Sequence, residues 1–166
     1  MSLEIERKFL VVTDQWRDQG AVLELRQGYL CATLERTVRV RVDGARAWLT
    51  IKGKSRGAVR LELEYPIPLG EAEQLLGLCD ALVEKRRHHV PHGELTWEVD
   101  EFTGKNAGLV VAELEGPDEV TLARAVANAP PWVGREVTSD PRFTNAALSE
   151  RPFAEWSTEE RAALQR

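Results

Sequence analysis

Leu3-Glu4-Ile5-Glu6-Arg7-Lys8-Phe9-Leu10-Val11 changes character at every second residue. Glu4, Glu6 and Lys8 fall on one parity, and Leu3, Ile5, Arg7 and Phe9 on the other. Side chains at i, i+2 and i+4 of a strand share a face. The stretch therefore predicts a β-strand with one largely apolar face and one face of ionisable groups. The pattern returns along the chain. Arg39 and Arg41 alternate with Val38, Val40 and Val42, and Arg60, Glu62 and Glu64 with Leu61, Leu63 and Tyr65. Lys85 and Arg87 follow, then Glu98 and Asp100 around Val99, then Glu113 and Glu115 around Leu114. Carboxylates suit hard cations and Arg and Lys suit phosphates, so such faces point to a metal–polyphosphate ligand.

Eight strands are expected, over residues 3–11, 23–31, 36–43, 46–53, 58–67, 82–91, 94–102 and 109–116. Asp43-Gly44 and Pro91-His92-Gly93 read as hairpin turns between alternating runs. Residues 69–79 carry helical spacing, with Ala72, Leu75, Leu76 and Cys79 on one side. A second helix is expected over 118–128, with Asp118 as N-cap and Pro130-Pro131 as the stop. A helical turn is expected near 13–19. The tail from Arg135 reads as polar, with short helices near 141–149 and 157–165. No linker or repeat interrupts the chain, so one domain over 1–166 is expected.

The 166 residues suffice for one hydrophobic core. A net charge of −5 argues against a broad basic nucleic-acid surface, though not against a local basic cavity. Cys31 and Cys79 are far apart and in no metal-ligand spacing, which suggests two reduced thiols and a cytoplasmic protein. No apolar run reaches membrane-spanning length and no signal-peptide pattern opens the chain, so neither membrane nor export is expected. His88, His89 and His92 read as ordinary residues of one hairpin. Tyr29 is assigned either to phosphate contact or to packing. Of the five tryptophans only Trp48 shares parity with Thr50 and Lys52, and none is given a base-stacking role.

Eight antiparallel strands can close into a barrel in two ways. The charged faces can meet solvent around an apolar core. Alternatively they line a tunnel while helices cover the apolar outside. Buried ions cost several kcal/mol each unless they are compensated. Here acids and bases occur in near-equal number on these faces, so compensation is available. Spacing alone leaves both closures open. Repeated Glu-x-Glu and Arg-x-Arg pairs weigh toward the tunnel, because like charges aligned on one face are unfavourable without a ligand.

The chain resembles the CYTH family, the triphosphate tunnel metalloenzymes. The resemblance rests on Glu4-Ile5-Glu6-Arg7-Lys8 and continues through Arg36-Thr37-Val38-Arg39-Val40-Arg41, Leu49 to Lys54, Arg60 to Glu64 and Glu84 to Arg87. It extends over Thr96 to Phe102, Ala107 to Glu115 and the tail segment Gly134 to Asn145, most like the compact bacterial inorganic triphosphatase group. The resemblance implies an α+β, mainly antiparallel fold: a closed eight-stranded β-barrel with flanking helices. It implies metal-dependent hydrolysis of a triphosphate, foremost tripolyphosphate to pyrophosphate and phosphate. Alternatives are a class IV adenylate cyclase-like activity, a thiamine triphosphatase, and a non-catalytic polyphosphate- or nucleotide-binding module.

On this reading Lys8, Arg39, Arg41, Lys52, Lys85 and Arg87 clamp phosphate. Glu4, Glu6, Glu113 and Glu115 are the foremost metal ligands. Glu62, Glu64, Glu98 and Asp100 form a second acidic set, of which Glu98 and Asp100 are assigned to metal. Glu62 and Glu64, with Lys85 and Arg87, are assigned to water activation and leaving-group stabilisation. The expected cofactor is Mg²⁺ or Mn²⁺, two per site. The expected partner is a small triphosphate, and apolar residues outside the barrel leave room for a homodimer. A C-terminal helix is expected to cap one tunnel mouth.

Overall fold

The computed structural model describes residues 3–165. Eight antiparallel strands form a closed ring: β1 (Leu3–Val11), β2 (Val22–Ala32), β3 (Arg36–Asp43), β4 (Arg46–Gly53), β5 (Val59–Pro66), β6 (Leu82–His92), β7 (Leu95–Phe102) and β8 (Val110–Glu115). Their order is β5-β4-β3-β2-β6-β7-β8-β1, and β1 returns to β5 through Glu4 opposite Arg60. Closure through residues 3–5 of β1 covers most of the open edge of the sheet. Each strand lies within about two residues of its expected bounds, as is usual when boundaries are read from pattern.

The hairpins turn at the expected places. Asp43 pairs with Arg46 and His92 with Leu95, so each loop holds two residues. Gly44 and Gly93 sit at φ 54° and 64°, a conformation that glycine reaches without Cβ strain. β6 runs on to His92, one residue past the expected end.

The charged parity faces inward and the apolar parity outward. Helix α1 (Leu69–Leu76) covers Val40, Val42 and Ala47 with Ala72 and Leu76. Helix α2 (Glu119–Ala127) starts at Asp118, whose carboxylate accepts from the Thr121 N–H at 2.7 Å. Its Leu122 joins a second outer core of Phe9, Trp97, Val99, Leu114, Trp16 and Trp132. The segment between β1 and β2 forms a turn over 15–18 that buries Trp16 there.

A ninth strand, β9 (Val133–Glu136), was not foreseen. It adds to β1 beyond the stretch that β5 occupies. Four residues ending in Gly-Arg-Glu carry too little alternation to read as a strand. The tail also departs from its polar reading. Helices α3 (Asn145–Glu150) and α4 (Thr158–Ala162) form near the expected places. However, Val137, Phe143, Leu148, Phe153 and Trp156 are buried against Leu10, Val83, Phe102, Leu109 and Val111. Leu10, Val83, Phe102 and Val111 continue the inward parity of β1, β6, β7 and β8. The barrel interior is thus apolar at one end and sealed there by residues 137–156. Five apolar side chains dispersed among polar residues give no periodic signal of this role.

Candidate active site

Inside the ring lies a cavity of about 290 Å³. Its walls are Glu4, Glu6 and Lys8 of β1, Arg39 and Arg41 of β3, Lys52 of β4, Glu62 and Glu64 of β5, Arg87 of β6, Glu98 of β7, and Glu113 and Glu115 of β8, with Asn145 from α3. Every foreseen site residue except Lys85 and Asp100 lines it. No apolar side chain does.

Most of these charges are paired. Lys52 holds Glu4 at 2.5 Å and Glu62 at 3.0 Å, while Arg60 holds the other Glu4 oxygen at 2.8 Å. Lys8 reaches Glu113 at 3.3 Å. Arg87 bridges Glu98 at 2.5 Å, Asp100 at 2.8 Å and Glu113 at 3.0 Å. Glu64 lies 3.7 Å from Arg39 and 3.5 Å from Arg41. Burial opposes the Glu113 charge, yet Lys8 and Arg87 outweigh it and hold the carboxyl well below the ordinary range.

Two features remain uncompensated. The Nε donors of Arg39 and Arg41 are buried without a partner. Burial and the adjacent Arg39 charge also push the Arg41 guanidinium below its ordinary pKa. A buried N–H left unsatisfied is costly, so this pair asks for an acceptor, and an anion serves best. At the other wall, Glu6 stands opposite Glu115 across the β1–β8 ladder. Burial, then Glu4, Glu62, Glu98 and Glu6, raise Glu115 to about 7. Burial and then Glu113 raise Glu6 as well. Oxygen donors that resist ionisation together fit a hard divalent cation. Among the described residues, no three His, Cys, Asp or Glu side chains stand ready to grip a metal by themselves.

Lys85 and Asp100 sit one layer behind the cavity. The Asp100 carboxylate is fully buried and accepts from Lys85 Nζ at 2.5 Å and from Arg87 at 2.8 and 2.9 Å. Asp100 does not itself line the cavity, unlike the other carboxylates assigned to metal. Burial lowers Lys85 to about 8, Asp100 partly offsetting and the Arg87 charge adding to the effect.

Arg60 and Asn145 carry more of the site than the sequence suggested. Arg60 has the right parity, and its bond to Glu4 follows from their β1–β5 register. Asn145 lies in the tail, where strand parity offers no guide. Tyr29 stands opposite Arg39 on the β2–β3 ladder, so its side chain takes the inward face near Lys8 and Arg39. Its hydroxyl accepts from the Gln27 amide at 3.4 Å, and the residue also lines a second cleft with Ser149 and Glu150. His88 packs edge-on to Trp16, His89 lies 3.6 Å from Glu98, and His92 contacts the Asn128 carbonyl at 2.8 Å, so the three histidines converge on no common centre.

Residues 2–144 match the CYTH domain. The chain belongs to the CYTH family. An inorganic triphosphatase of Acetivibrio thermocellus is 46% identical over 155 residues, covering 92% of this CYTH chain and 97% of the relative. An inorganic triphosphatase of Nitrosomonas europaea is 37% identical over 150 residues, covering 88% and 96%. The crystal structure of an inorganic triphosphatase superposes with a TM-score of 0.64 at 34% identity, over 90% of this chain and 95% of the other.

Proposed function

We propose that this CYTH protein hydrolyses inorganic tripolyphosphate to pyrophosphate and orthophosphate. The unpartnered Arg39 and Arg41 Nε donors inside an all-polar cavity carry the reading. The similarity to two inorganic triphosphatases supports it.

A triphosphate entering the cavity supplies the acceptors that Arg39 and Arg41 lack. It also competes with Glu4, Glu62, Glu98 and Glu113 for Lys52, Lys8 and Arg87. Released from those bases, the carboxylates join Glu6 and Glu115 as oxygen donors. Glu6 and Glu115, with Glu4, Glu113, Glu62 and Glu98, would hold Mg²⁺ or Mn²⁺. Such an ion supplies charge neutralisation of the phosphates and a more acidic bound water. The resident side chains provide positioning and electrostatics, as phosphoryl transfer requires. Arg39, Arg41 and Lys52 fix the chain, and Glu64 beside Arg41 is placed to accept a proton from the attacking water. Water adds to the terminal phosphorus as the bond to the bridging oxygen breaks. Arg87 stabilises the charge left on the departing pyrophosphate.

Every wall residue is charged or carries an amide, so a nucleobase finds no apolar slot inside. Trp48 lies under both Arg41 and Arg46, each 5.2 Å from its ring centroid, which leaves its face covered. Orthophosphate release from tripolyphosphate, ATP and thiamine triphosphate, with Mg²⁺, Mn²⁺ or chelator, tests the reading. Metal-dependent release, fastest from tripolyphosphate, is expected. Tight binding without release, or cyclic AMP from ATP, would overturn it.

A further inference from the structure

Among the cavity-lining residues, Asn145 alone comes from outside the barrel. It is the first residue of α3, but its side chain does not cap the helix. Thr144 does, accepting from the Ala147 N–H at 3.1 Å. The Asn145 side chain is therefore free for another task. Its Oδ1 accepts from Lys85 Nζ at 3.3 Å. An ammonium donates only, so the amide oxygen must be the atom turned toward Lys85. Asn145 lines the cavity, and its two Nδ2 protons meet no protein acceptor among the described residues.

Lys85 itself is 2% exposed and lies behind the cavity wall, bound to Asp100. Its charge has no direct path to a ligand there. Asn145 offers an indirect one. An ammonium on the amide oxygen polarises the amide and strengthens its N–H donors. We infer that Asn145 binds a terminal phosphate oxygen of the substrate through Nδ2, and that Lys85 acts through Asn145 as a positioning residue. The inference rests on the triphosphate reading of the cavity. It also gives the sealed end of the barrel a part in recognition, since that segment delivers the amide.

Asn145→Asp separates the two contacts. The carboxylate still accepts from Lys85 but presents an anion where the donor stood. Asn145→Ser, shorter but able to donate, is the second variant. Tripolyphosphate hydrolysis and calorimetric affinity of the metal-free protein for tripolyphosphate are measured beside thermal unfolding. Loss of a hydrogen bond to a charged group predicts that Asn145→Asp lowers both affinity and kcat/KM by about tenfold to a hundredfold, at an unchanged midpoint of unfolding. Asn145→Ser falls between it and the parent. Asn145→Asp with parental affinity and kcat/KM overturns the inference while leaving the triphosphatase reading intact. A parent that binds tripolyphosphate without hydrolysing it sinks the reaction alone, and the affinities still decide Asn145. A parent that neither binds nor hydrolyses it overturns both.

Discussion

Asp100 engages two cations with one carboxylate. Lys85 reaches its buried oxygens from the core and Arg87 from the cavity wall, and the cation less able to keep its proton is Lys85. Removing one partner of a buried ionic set strands the others. Asp100→Asn is therefore expected to cost about 3–5 kcal/mol in urea unfolding at pH 7. A loss below about 1 kcal/mol would show that water, not Asp100, satisfies the two cations. Arg39 makes the complementary case. It is buried, yet its protein partners are a Thr50 hydroxyl at 3.2 Å and Glu64 at 3.7 Å. Arg39→Ala should lower kcat/KM for tripolyphosphate by about 10²–10³, the size of effect known for a donor aimed at developing charge. Unchanged kinetics would remove Arg39 from the phosphate site. Both residues were visible in the strand parity. Their division of labour was not, because parity tells which face a side chain takes but not how deep it lies.

Elements show the same division. The eight barrel strands announced themselves because a two-residue period sustained over six or more residues has few other solutions. β9 did not, and it is held from the side. Arg7 donates from Nε to Glu136 at 2.8 Å, and the Thr138 hydroxyl donates to the same carboxylate at 2.7 Å. The Arg7 hydrogen bond chiefly holds Glu136 below its ordinary pKa. A depressed carboxyl contributes stability above its unfolded value near 4.5 and loses it as pH falls through the folded value. Glu136→Gln should thus cost up to about 1 kcal/mol at pH 7, since the pair is partly exposed, and progressively less below pH 4.5. A cost that stays constant with pH would assign the effect to shape, not charge. The sealing segment is the second hidden element. Phe143 and Trp156 meet edge-on at 5.4 Å within the apolar end of the barrel. Phe143→Ala should cost about 3–5 kcal/mol in unfolding free energy. Its sequence surroundings, Asp140-Pro141-Arg142 and Thr144-Asn145, are polar, so one buried ring leaves no periodic signal in the sequence.

The molecule as a whole is an inside-out barrel whose charged lining closes its own ion pairs. Lys52, Arg60, Lys8 and Arg87 engage Glu4, Glu113 and Glu98 without help from a ligand. The fold should consequently survive chelation, unlike small domains that a metal must fold. Thermal unfolding in EDTA is expected to stay cooperative while hydrolysis stops. Tripolyphosphate with Mg²⁺ should then raise the midpoint, by about 2.7 kcal/mol of stabilisation at a hundredfold excess over Kd. Collapse of the fold in EDTA would mean that metal is structural. The near balance of acids and bases was legible on the charged parity of the strands, but only closure of the ring decides that they face one another.

The seal on the barrel has a kinetic corollary. The Lys8 backbone N–H binds the Thr138 hydroxyl across 130 residues of chain, and Leu10 packs with Phe143 and Trp156 in the same cluster. Contacts of that separation form only after a large loop has been closed. The first strand must wait, partly unsatisfied, for a segment more than a hundred residues downstream. Refolding should therefore run in the slow milliseconds-to-seconds regime of non-local β-proteins. During that interval an unsealed barrel would display Leu10, Val83 and Phe102 to other chains, so the yield of refolding should fall as protein concentration rises.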